Sequence, residues 1–253
     1  MLDLSKEFVG RRVLVTGGSR GIGAAVAQRL MDAGAKVVVT SRNRHEQTPQ
    51  GSIFIAGDLL TKAGAEAIGK EALKTLGGLD ILVNSAGAAR VHLPNLAAIP
   101  DEEWIDSINA NFMSAVRMTA SVLTALQASK SASIVNVSSG GVTPMGGGLS
   151  HYGAAKAALN NYTQSLAKDL APAGIRVNIV TPGPIITPGG DDVRKTITSA
   201  MGITDAQFFA TVPLKGRAGQ PEEVAELIAF LVSDRAGYIT GHNHFISGGW
   251  GEL

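Results

Sequence analysis

Residues 12–23 read RVLVTGGSRGIG and are the most informative stretch of the chain. The first five of them are mostly β-branched or apolar and predict a short buried strand over Arg12–Thr16. The residues after the glycines predict a helix over Gly21–Ala33, because apolar side chains recur there at helical spacing and Gly34 ends the run. A strand, a glycine-rich turn and a helix in this order are typical of a phosphate-binding loop.

Each glycine of this turn has a physical purpose. Together they permit a tight turn, a close approach to a pyrophosphate and close packing of helix against strand, while the helix N-terminus offers N–H groups and a positive dipole end. Such a turn also occurs as a plain connection, but its place at the first strand–helix junction of an alternating chain favours nucleotide binding. The predicted cofactor contacts here are Gly17, Ser19, Arg20, Gly21, Ile22 and Gly23.

The rest of the chain continues the alternation of strands and helices. Apolar strands between helices indicate a parallel sheet covered on both faces. We therefore predict an α/β fold, a Rossmann-type doubly wound parallel sheet of about seven strands with helices on both faces, in one domain over residues 1–253. The further predicted strands are Lys36–Thr40, Ser52–Ala56, Asp80–Asn84, Ser133–Ser138, Ile175–Thr181 and Asn243–Ile246; the further helices are Lys62–Leu76, one or two within residues 101–129, Tyr152–Ala171 and Glu222–Ser233.

The least regular stretch is residues 182–213, which carries only weak helical patterns. Irregular segments of this length in a compact domain are usually functional lids or binding loops. We therefore predict a substrate lid over residues 184–213.

Composition excludes several classes of protein. The chain has 253 residues, 45% hydrophobic and 17% charged, with a net charge of +1 and no cysteine. It is too apolar for a disordered chain, lacks the basic excess of a nucleic-acid binder, and cannot form disulfides or cysteine-based zinc sites. Residues 1–10 do not resemble a signal peptide, and no apolar run reaches the ~18 residues of a membrane span. We expect a cytoplasmic protein without nucleic-acid or membrane partners.

The end of the second strand bears on which nucleotide binds. An acidic residue there would accept from the ribose 2′-hydroxyl and favour NAD, but the run is Thr40-Ser41-Arg42. Arg42 and Arg20 are candidates to hold a 2′-phosphate, which favours NADP(H); the alternative is that Arg42 is a solvated loop cation. Ser41, Asp58 and Leu59 are added to the predicted cofactor contacts. Asp58 could accept from the adenine amino group or serve as a helix N-cap.

Tyr152 and Lys156 lie one turn apart at the start of a predicted helix, and therefore on one face. A tyrosine has a reference pKa of about 10, which a neighbouring ammonium lowers, so that the phenol can exchange a proton with a carbonyl or alcohol. A chance pair with this spacing is common. Ser138 and Ser139 raise its significance, because they end a strand whose carboxyl end faces the ligand crevice of such a sheet.

With these motifs the chain resembles the short-chain dehydrogenase/reductase family. The resemblance covers nearly the whole chain, from TGGSRGIG at 16–23 and NSAG at 84–87 through the Tyr152–Lys156 spacing and Pro182-Gly183 to YITG and ISGG near the C-terminus. One departure is Ser85, where the family usually has a second asparagine. The resemblance implies hydride transfer between a nicotinamide and a substrate carbon, reduction of a ketone or carbonyl being the favoured direction, and a homotetramer.

The resemblance also implies residue roles. Tyr152 is the expected acid–base residue, Lys156 lowers its pKa and binds ribose hydroxyls, Ser139 holds the substrate oxygen, and Asn111 anchors a water in the proton relay. The expected further cofactor contacts are Asn84, Ala86 and Gly87 beside the adenosine half, and Pro182, Gly183, Ile185 and Thr187 beside the nicotinamide.

The substrate pocket is expected between residues 140–151 and the lid. Its segments are small and apolar. Arg194 is the only arginine of the lid and could be a plain surface residue, so no clear binding group for a carboxylate is present, and a neutral or apolar ketone is favoured over a charged acid. The predicted substrate contacts are Gly141, Met145, Leu149, His151 and Ile186, with His151 alternatively a polar residue of the helix start. His242 and His244 alternate on one strand, but two histidines do not make a metal site, and none is predicted.

Alternative functions remain at this level. The substrate could be a 3-oxoacyl group on an acyl-carrier protein, which would require a basic patch for the acidic carrier. A regulator that senses NADP(H) without turnover could use the same fold, and so could a glycine-loop methyltransferase. The presence of Asn111, Ser139, Tyr152 and Lys156 together favours an enzyme.

Overall fold

Seven parallel strands form one sheet in this computed structural model, which describes residues 4–142 and 147–251. The strands lie in the order β3-β2-β1-β4-β5-β6-β7, and every neighbouring pair is parallel. The predicted fold class is therefore confirmed. The strands are β1 Arg12–Thr16, β2 Lys36–Ser41, β3 Ile53–Ala56, β4 Ile81–Asn84, β5 Ser133–Val137, β6 Arg176–Pro182 and β7 Asn243–Ile246.

Helices cover both faces of the sheet because side chains alternate along each strand. In β1, Val13 and Val15 face a core that includes the helices Gly21–Asp32 and Pro221–Val232. Leu14 faces a core that includes the helices Lys62–Leu76, Ser114–Gln127 and Ser150–Leu170. No helix in the described parts of the chain is long and apolar enough to cross a membrane. The helices are α1 Gly21–Asp32, α2 Lys62–Leu76, α3 Asp101–Ile108, α4 Ser114–Gln127, α5 Ser150–Leu170, α6 Pro188–Met201, α7 Asp205–Phe209 and α8 Pro221–Val232.

The strand order reverses between β1 and β4, and there the chain leaves the sheet in opposite directions. Ligands of doubly wound sheets bind in the crevice that opens at such a point, at the carboxyl ends of the strands. The end of β1 is tied to the loop after β4, because the Thr16 hydroxyl accepts hydrogen bonds from the Ser85 and Ala86 N–H groups at 3.1 and 3.2 Å. These hydrogen bonds hold together the two loops at the base of the crevice.

Residues 101–129 are helical as the sequence predicts, whereas residues 182–213 are more regular than it predicts. Residues 101–129 form α3 and α4, joined by a π-helical turn over Asn109–Met113. The segment predicted to be irregular, 182–213, contains α6 and α7. The hydroxyls of Thr187 and Thr204 cap these two helices, and Gly202 ends α6 in the left-handed conformation at φ +65°.

An ion pair fixes the start of β1 to the start of β4. The carboxylate of Asp80 accepts from the Arg12 backbone N–H, from its guanidinium at 2.8 and 2.9 Å, and from the Ser129 hydroxyl at 2.6 Å. Burial alone would raise the pKa of Asp80, but these hydrogen bonds and the Arg12 charge outweigh it and lower the pKa to about 2. The ionised carboxylate therefore stabilises the fold.

We predict that Asp80→Asn lowers the free energy of unfolding by about 2 kcal/mol at pH 6, and that this difference closes as the pH falls. The reason is that the folded pKa lies below the unfolded value, so the contribution is complete above pH ~4 and is lost as the pH falls through ~2. Urea unfolding between pH 6 and pH 2 measures it. Asp192→Asn, at an exposed position of α6, is the matched control. A difference independent of pH would contradict the role of the Asp80 charge.

Candidate active site

The glycine-rich turn after β1 has room for backbone only. Gly17 has φ +66°, and a Cβ there would lie 2.9 Å from the Ala86 Cα atom; a Cβ on Gly23 would lie 2.4 Å from the Gly17 carbonyl oxygen. The N-cap Arg20 makes no side-chain capping bond, so the N–H groups at the start of α1 are not used by its own cap. This cradle fits the pyrophosphate of a dinucleotide.

The loop after β2 contacts that turn through residues that the sequence motifs did not indicate. The Gly21 N–H donates to the Gln47 Oε1 atom at 3.1 Å, and the Thr48 hydroxyl lies 3.4 Å from the Ser19 carbonyl oxygen. Arg42 and Arg44 are exposed on this loop. No regular spacing in the sequence connects Gln47 and Thr48 with the glycines, so their contacts are seen only in the folded structure.

Two predicted cofactor residues after β3 serve the fold with their side chains. The Asp58 carboxylate accepts from the Leu60 N–H at 3.0 Å, while Thr61, and not Asp58, caps α2. The Leu59 side chain is buried in the core beneath α2. Asp58 can therefore contact a nucleotide through its backbone or its second carboxylate oxygen, and Leu59 through its backbone only.

The Asn84 side chain also points into the protein. Its amide donates to Asn136 Oδ1 at 2.9 Å and to the Thr119 hydroxyl at 3.2 Å. The amide N–H groups of Asn84 are therefore engaged in a buried polar network, and the contact of this residue with a cofactor stays a prediction. Ala86 and Gly87, in contrast, lie on the open loop beside the glycine-rich turn.

Tyr152 and Ser139 come together at the carboxyl end of β5. The Ser139 hydroxyl accepts from the Gly141 N–H at 3.1 Å and forms a hydrogen bond with Tyr152. Burial raises the pKa of Tyr152, and the Ser139 hydrogen bond offsets part of that rise. Ser138, by comparison, is buried and its backbone N–H donates to the Val180 carbonyl oxygen of β6. The pairing favours Ser139 over Ser138 as the functional serine.

Lys156 is buried one turn after Tyr152 in α5. Its ammonium donates to the Val137 carbonyl oxygen at 2.9 Å and lies 5.9 Å from the centre of the Tyr152 ring. Burial lowers the pKa of Lys156 to about 8. In this structure burial is the largest influence on the pKa of Tyr152, and the Lys156 ammonium donates to a backbone carbonyl, so the effect of Lys156 on the phenol stays a prediction.

Asn111 lies in the π-helical turn between α3 and α4. Its side chain accepts from the Ala88 N–H at 3.0 Å and donates to the Ala88 and Ser107 carbonyl oxygens at 2.8 and 3.1 Å. A Cβ on Gly87 would lie 2.8 Å from Asn111 Oδ1 and 3.4 Å from the Lys156 ammonium. Asn111 therefore holds the loop after β4 directly beside Lys156; π-helical turns are frequent at functional sites.

The segment after β6 approaches the glycine-rich turn. A Cβ on Gly183 would lie 2.8 Å from the Ser247 Cα atom, so the backbone of this loop packs directly on the chain after β7. Thr187 caps α6 through the Gly190 N–H at 3.0 Å, and its side chain contacts Gly21. Pro182 and Ile185, which are buried, lie in the same segment. The four predicted nicotinamide contacts thus border the crevice with the phosphate loop.

The predicted substrate residues lie in different environments. Gly141 lies against the Tyr152 ring, while Met145 falls outside the described residues. Leu149 is buried, and Ile186 is half-buried and donates its N–H to the Gly219 carbonyl oxygen. The His151 ring is buried against His92 and Trp104, with ring centres 5.4 and 6.1 Å apart.

Arg194, the lid arginine, is neutralised within the lid. It is 2.6 Å from Asp191 and 3.1 Å from Asp205, and its guanidinium lies 5.0 Å from the centre of the Phe209 ring. Only 11% of its side chain is exposed. Arg194 therefore joins α6 to α7 and is not available to hold a substrate carboxylate or phosphate.

Sequence comparison agrees with this geometry. A family model described as enoyl-(acyl-carrier-protein) reductase matches residues 17–251. The chain belongs to the short-chain dehydrogenase/reductase family. As a member it is an oxidoreductase, which confirms the resemblance inferred from its motifs.

Relatives in this family match over almost their whole length. The chain is 36% identical to the 3-oxoacyl-(acyl-carrier-protein) reductase FabG of Escherichia coli, over 96% of this chain and 98% of that one. It is 37% identical to FabG of Vibrio cholerae, over 95% and 97%. The ligand-free aldohexose dehydrogenase of Thermoplasma acidophilum superposes with a TM-score of 0.87 at 30% identity, covering 98% of this chain and 96% of that one. Members with different named substrates thus share this fold.

We predict that Gly23→Ala destabilises the protein by about 1–3 kcal/mol, although alanine is the better helix former. The added Cβ would collide with the Gly17 carbonyl oxygen, which is backbone and cannot rotate away. Gly189→Ala in α6 is the matched control, because its Cβ meets nothing within 4 Å. Urea unfolding measures the free energy of unfolding of both variants. If Gly23→Ala were as stable as Gly189→Ala, the turn would have more room than this geometry allows.

Proposed function

We propose that this oxidoreductase uses NADPH to reduce a ketone to an alcohol, with Tyr152 as the proton donor. The observation that carries the proposal is the pairing of Tyr152 with Ser139 at the end of β5, beside Lys156 and the loop that Asn111 holds. A glycine-rich phosphate turn opens onto the same end of the sheet. A regulator that only senses a nucleotide would have no use for this arrangement.

The chemistry divides between cofactor and protein. A bound nicotinamide supplies the hydride that adds to the carbonyl carbon. The Tyr152 hydroxyl gives its proton to the carbonyl oxygen as negative charge develops there. The Ser139 oxygen already accepts from the Gly141 N–H, so its own proton is directed to a second acceptor and can hold the same carbonyl oxygen.

Lys156 and Asn111 are the two other residues of the proposed site, and both lie against the loop after β4. The buried ammonium of Lys156 is adjacent to Gly87 and Asn111, and we assign it to the ribose hydroxyls and to the charge that remains on Tyr152. Asn111 acts by keeping the loop after β4 in place through paired hydrogen bonds with Ala88. The lid over residues 184–213 then closes the substrate side.

The preference for NADPH is assigned to the exposed cations beside the phosphate turn. β2 ends at Ser41 without a carboxylate, and Arg42 follows it. Arg20 precedes α1 on the exposed surface of the glycine-rich turn. Guanidinium groups bind phosphate with charge-assisted, often bidentate hydrogen bonds, which NAD(H) has no group to accept.

The substrate class follows from the lid and from the relatives. Because Arg194 is neutralised by two aspartates, the lid favours a neutral ketone. A second candidate is a 3-oxoacyl thioester on an acyl-carrier protein, which the 36–37% identity to reductases named for that substrate favours. Both candidates present the same reacting ketone to Tyr152.

We predict that the protein oxidises NADPH in the presence of a ketone, and that Tyr152→Phe lowers kcat by about 10²–10⁴-fold without weakening NADPH binding. The loss follows because phenylalanine keeps the ring but has no proton to donate. Absorbance at 340 nm gives the rate and calorimetry gives the affinity. Tyr238→Phe, at a fully exposed tyrosine, is the matched control. Full activity of Tyr152→Phe would refute the proton-donor role.

The same assay separates the two substrate classes. Its panel contains apolar ketones, β-ketoesters and one 3-oxoacyl group offered both as a short free thioester and on an acyl-carrier protein. Turnover of free ketones at comparable kcat/KM supports the neutral-ketone reading, whereas a strong preference for the carrier-bound group supports the second candidate. Tight NADPH binding with no turnover of any of them would favour a nucleotide sensor.

We predict that Arg42→Ala weakens NADPH binding by about 10–100-fold and NADH binding hardly at all, as expected for one lost charge-assisted contact. Lys74→Ala, which removes an exposed cation from the last turn of α2, is the control for a general charge effect. Calorimetric titration with both nucleotides is the measurement. Equal effects on the two nucleotides would exclude a 2′-phosphate contact for Arg42.

A further inference from the structure

His92, Glu103 and His151 form a compact cluster behind the start of α5. His92 lies in the loop after β4, Glu103 in the first turn of α3 and His151 in the first turn of α5. One potential ligand atom from each lies within 4.8 Å of the other two. Among the described residues, no other group of three histidine and carboxylate side chains meets that distance.

The cluster contains two buried imidazole nitrogen atoms. His151 is only 1% exposed, and its Nδ1 atom is buried without a hydrogen-bond partner. The His92 Nε2 atom is buried as well and lies 3.3 Å from Glu103 Oε2. A buried polar atom without a partner costs free energy unless something else binds it. Two such imidazole nitrogens beside a carboxylate are a set of electron-pair donors.

We infer that His92, Glu103 and His151 bind a divalent transition-metal ion of the Zn²⁺ class. Two imidazoles and one carboxylate are a ligand set that Zn²⁺ accepts, with water in the fourth position. Tetrahedral bonds of about 2.0–2.1 Å place ligand atoms about 3.4 Å apart, so the cluster must contract slightly on binding. Mg²⁺ and Ca²⁺ prefer oxygen ligands and are excluded by the two imidazoles.

Arg90 competes with such an ion for the carboxylate. Its guanidinium lies 3.0 and 3.3 Å from the two Glu103 oxygens, and its side chain is 66% exposed. Because the guanidinium is exposed, it can move away from Glu103 into solvent. Asp106, 3.9 Å from it, remains as a second carboxylate partner. Removal of the Arg90 charge should therefore strengthen metal binding, whereas removal of a ligand weakens it. Loss of the neutral His92 imidazole should weaken binding as well, which a general effect of surface charge would not do.

The bound ion would tie three elements together next to the catalytic tyrosine. His151 directly precedes Tyr152, and the His92 N–H donates to the Gly148 carbonyl oxygen at 3.0 Å. The inference departs from the sequence-based expectation of no metal site, which considered only His242 and His244. It is independent of the proposed reductase activity, because metal binding is measured without substrate or cofactor.

The test is calorimetric titration of Zn²⁺ into the untagged, chelator-treated full chain at pH 7.5. One Zn²⁺ should bind per chain; His92→Gln and Glu103→Gln should each weaken it about tenfold or more, and Arg90→Gln should tighten it severalfold. His242→Gln, at the other histidine pair, should bind as the wild type does. Zn²⁺ should also raise the Tm of the wild type and not that of His92→Gln.

A second readout uses the wild-type protein and therefore does not depend on the folding of a variant. Co²⁺ bound to the wild type by two imidazoles and a carboxylate should give visible d–d absorption bands, which one equivalent of Zn²⁺ abolishes. Mg²⁺ should neither bind with this stoichiometry nor displace Co²⁺. The inference is overturned if the wild type shows no stoichiometric Zn²⁺ binding and no Co²⁺ bands, or if His242→Gln removes the binding while folded His92→Gln keeps it.

Discussion

The close contact between the loops after β1 and β4 is the constraint on which the rest of the site depends. Thr16 ends β1 opposite Asn84 of β4, and its hydroxyl accepts from the first two N–H groups after β4. Gly17 then passes so close to Ala86 that a side chain there would lie within 2.9 Å of backbone. With these loops fixed, the phosphate turn and the loop that borders Lys156 hold one relative position.

A buried polar network connects β4 to α5, the helix that contains Tyr152 and Lys156. Asn84 of β4 donates to Asn136 of β5, and Asn136 donates to the Thr163 hydroxyl of α5 at 2.8 Å. Thr163 donates in turn to the Leu159 carbonyl oxygen of its own helix. Because such directional bonds in a dry core tolerate little displacement, they set how α5 lies on the sheet, and so where Lys156 and Tyr152 stand. Asn84, which is predicted to lie beside the cofactor, thus also takes part in the network that holds α5.

Local patterns predict the elements well and long-range contacts poorly. The bounds of β1, α2 and β7 match the prediction, since each has a clear period and clear end signals. α6 and α7 were missed because their apolar residues do not form a strong stripe, although Thr187 and Thr204 are visible caps. The spacing of Tyr152 and Lys156 predicts that they are neighbours; it cannot predict that the ammonium bonds to the Val137 carbonyl oxygen instead. Likewise no spacing connects His92, Glu103 and His151, which meet only through packing.

The first turn of α5 explains how the proposed catalytic tyrosine and the proposed metal site can lie so close together. This helix begins without a side-chain cap, so packing must fix its direction. On one side Gly153 lies so close to the Gly141 carbonyl oxygen that a Cβ would come within 2.4 Å of it. On the other side the His151 ring is wedged against His92 and Trp104. Tyr152 lies between these two residues in the chain. A change in the packing of the His151 ring against His92 and Trp104 would therefore alter the position of the phenol.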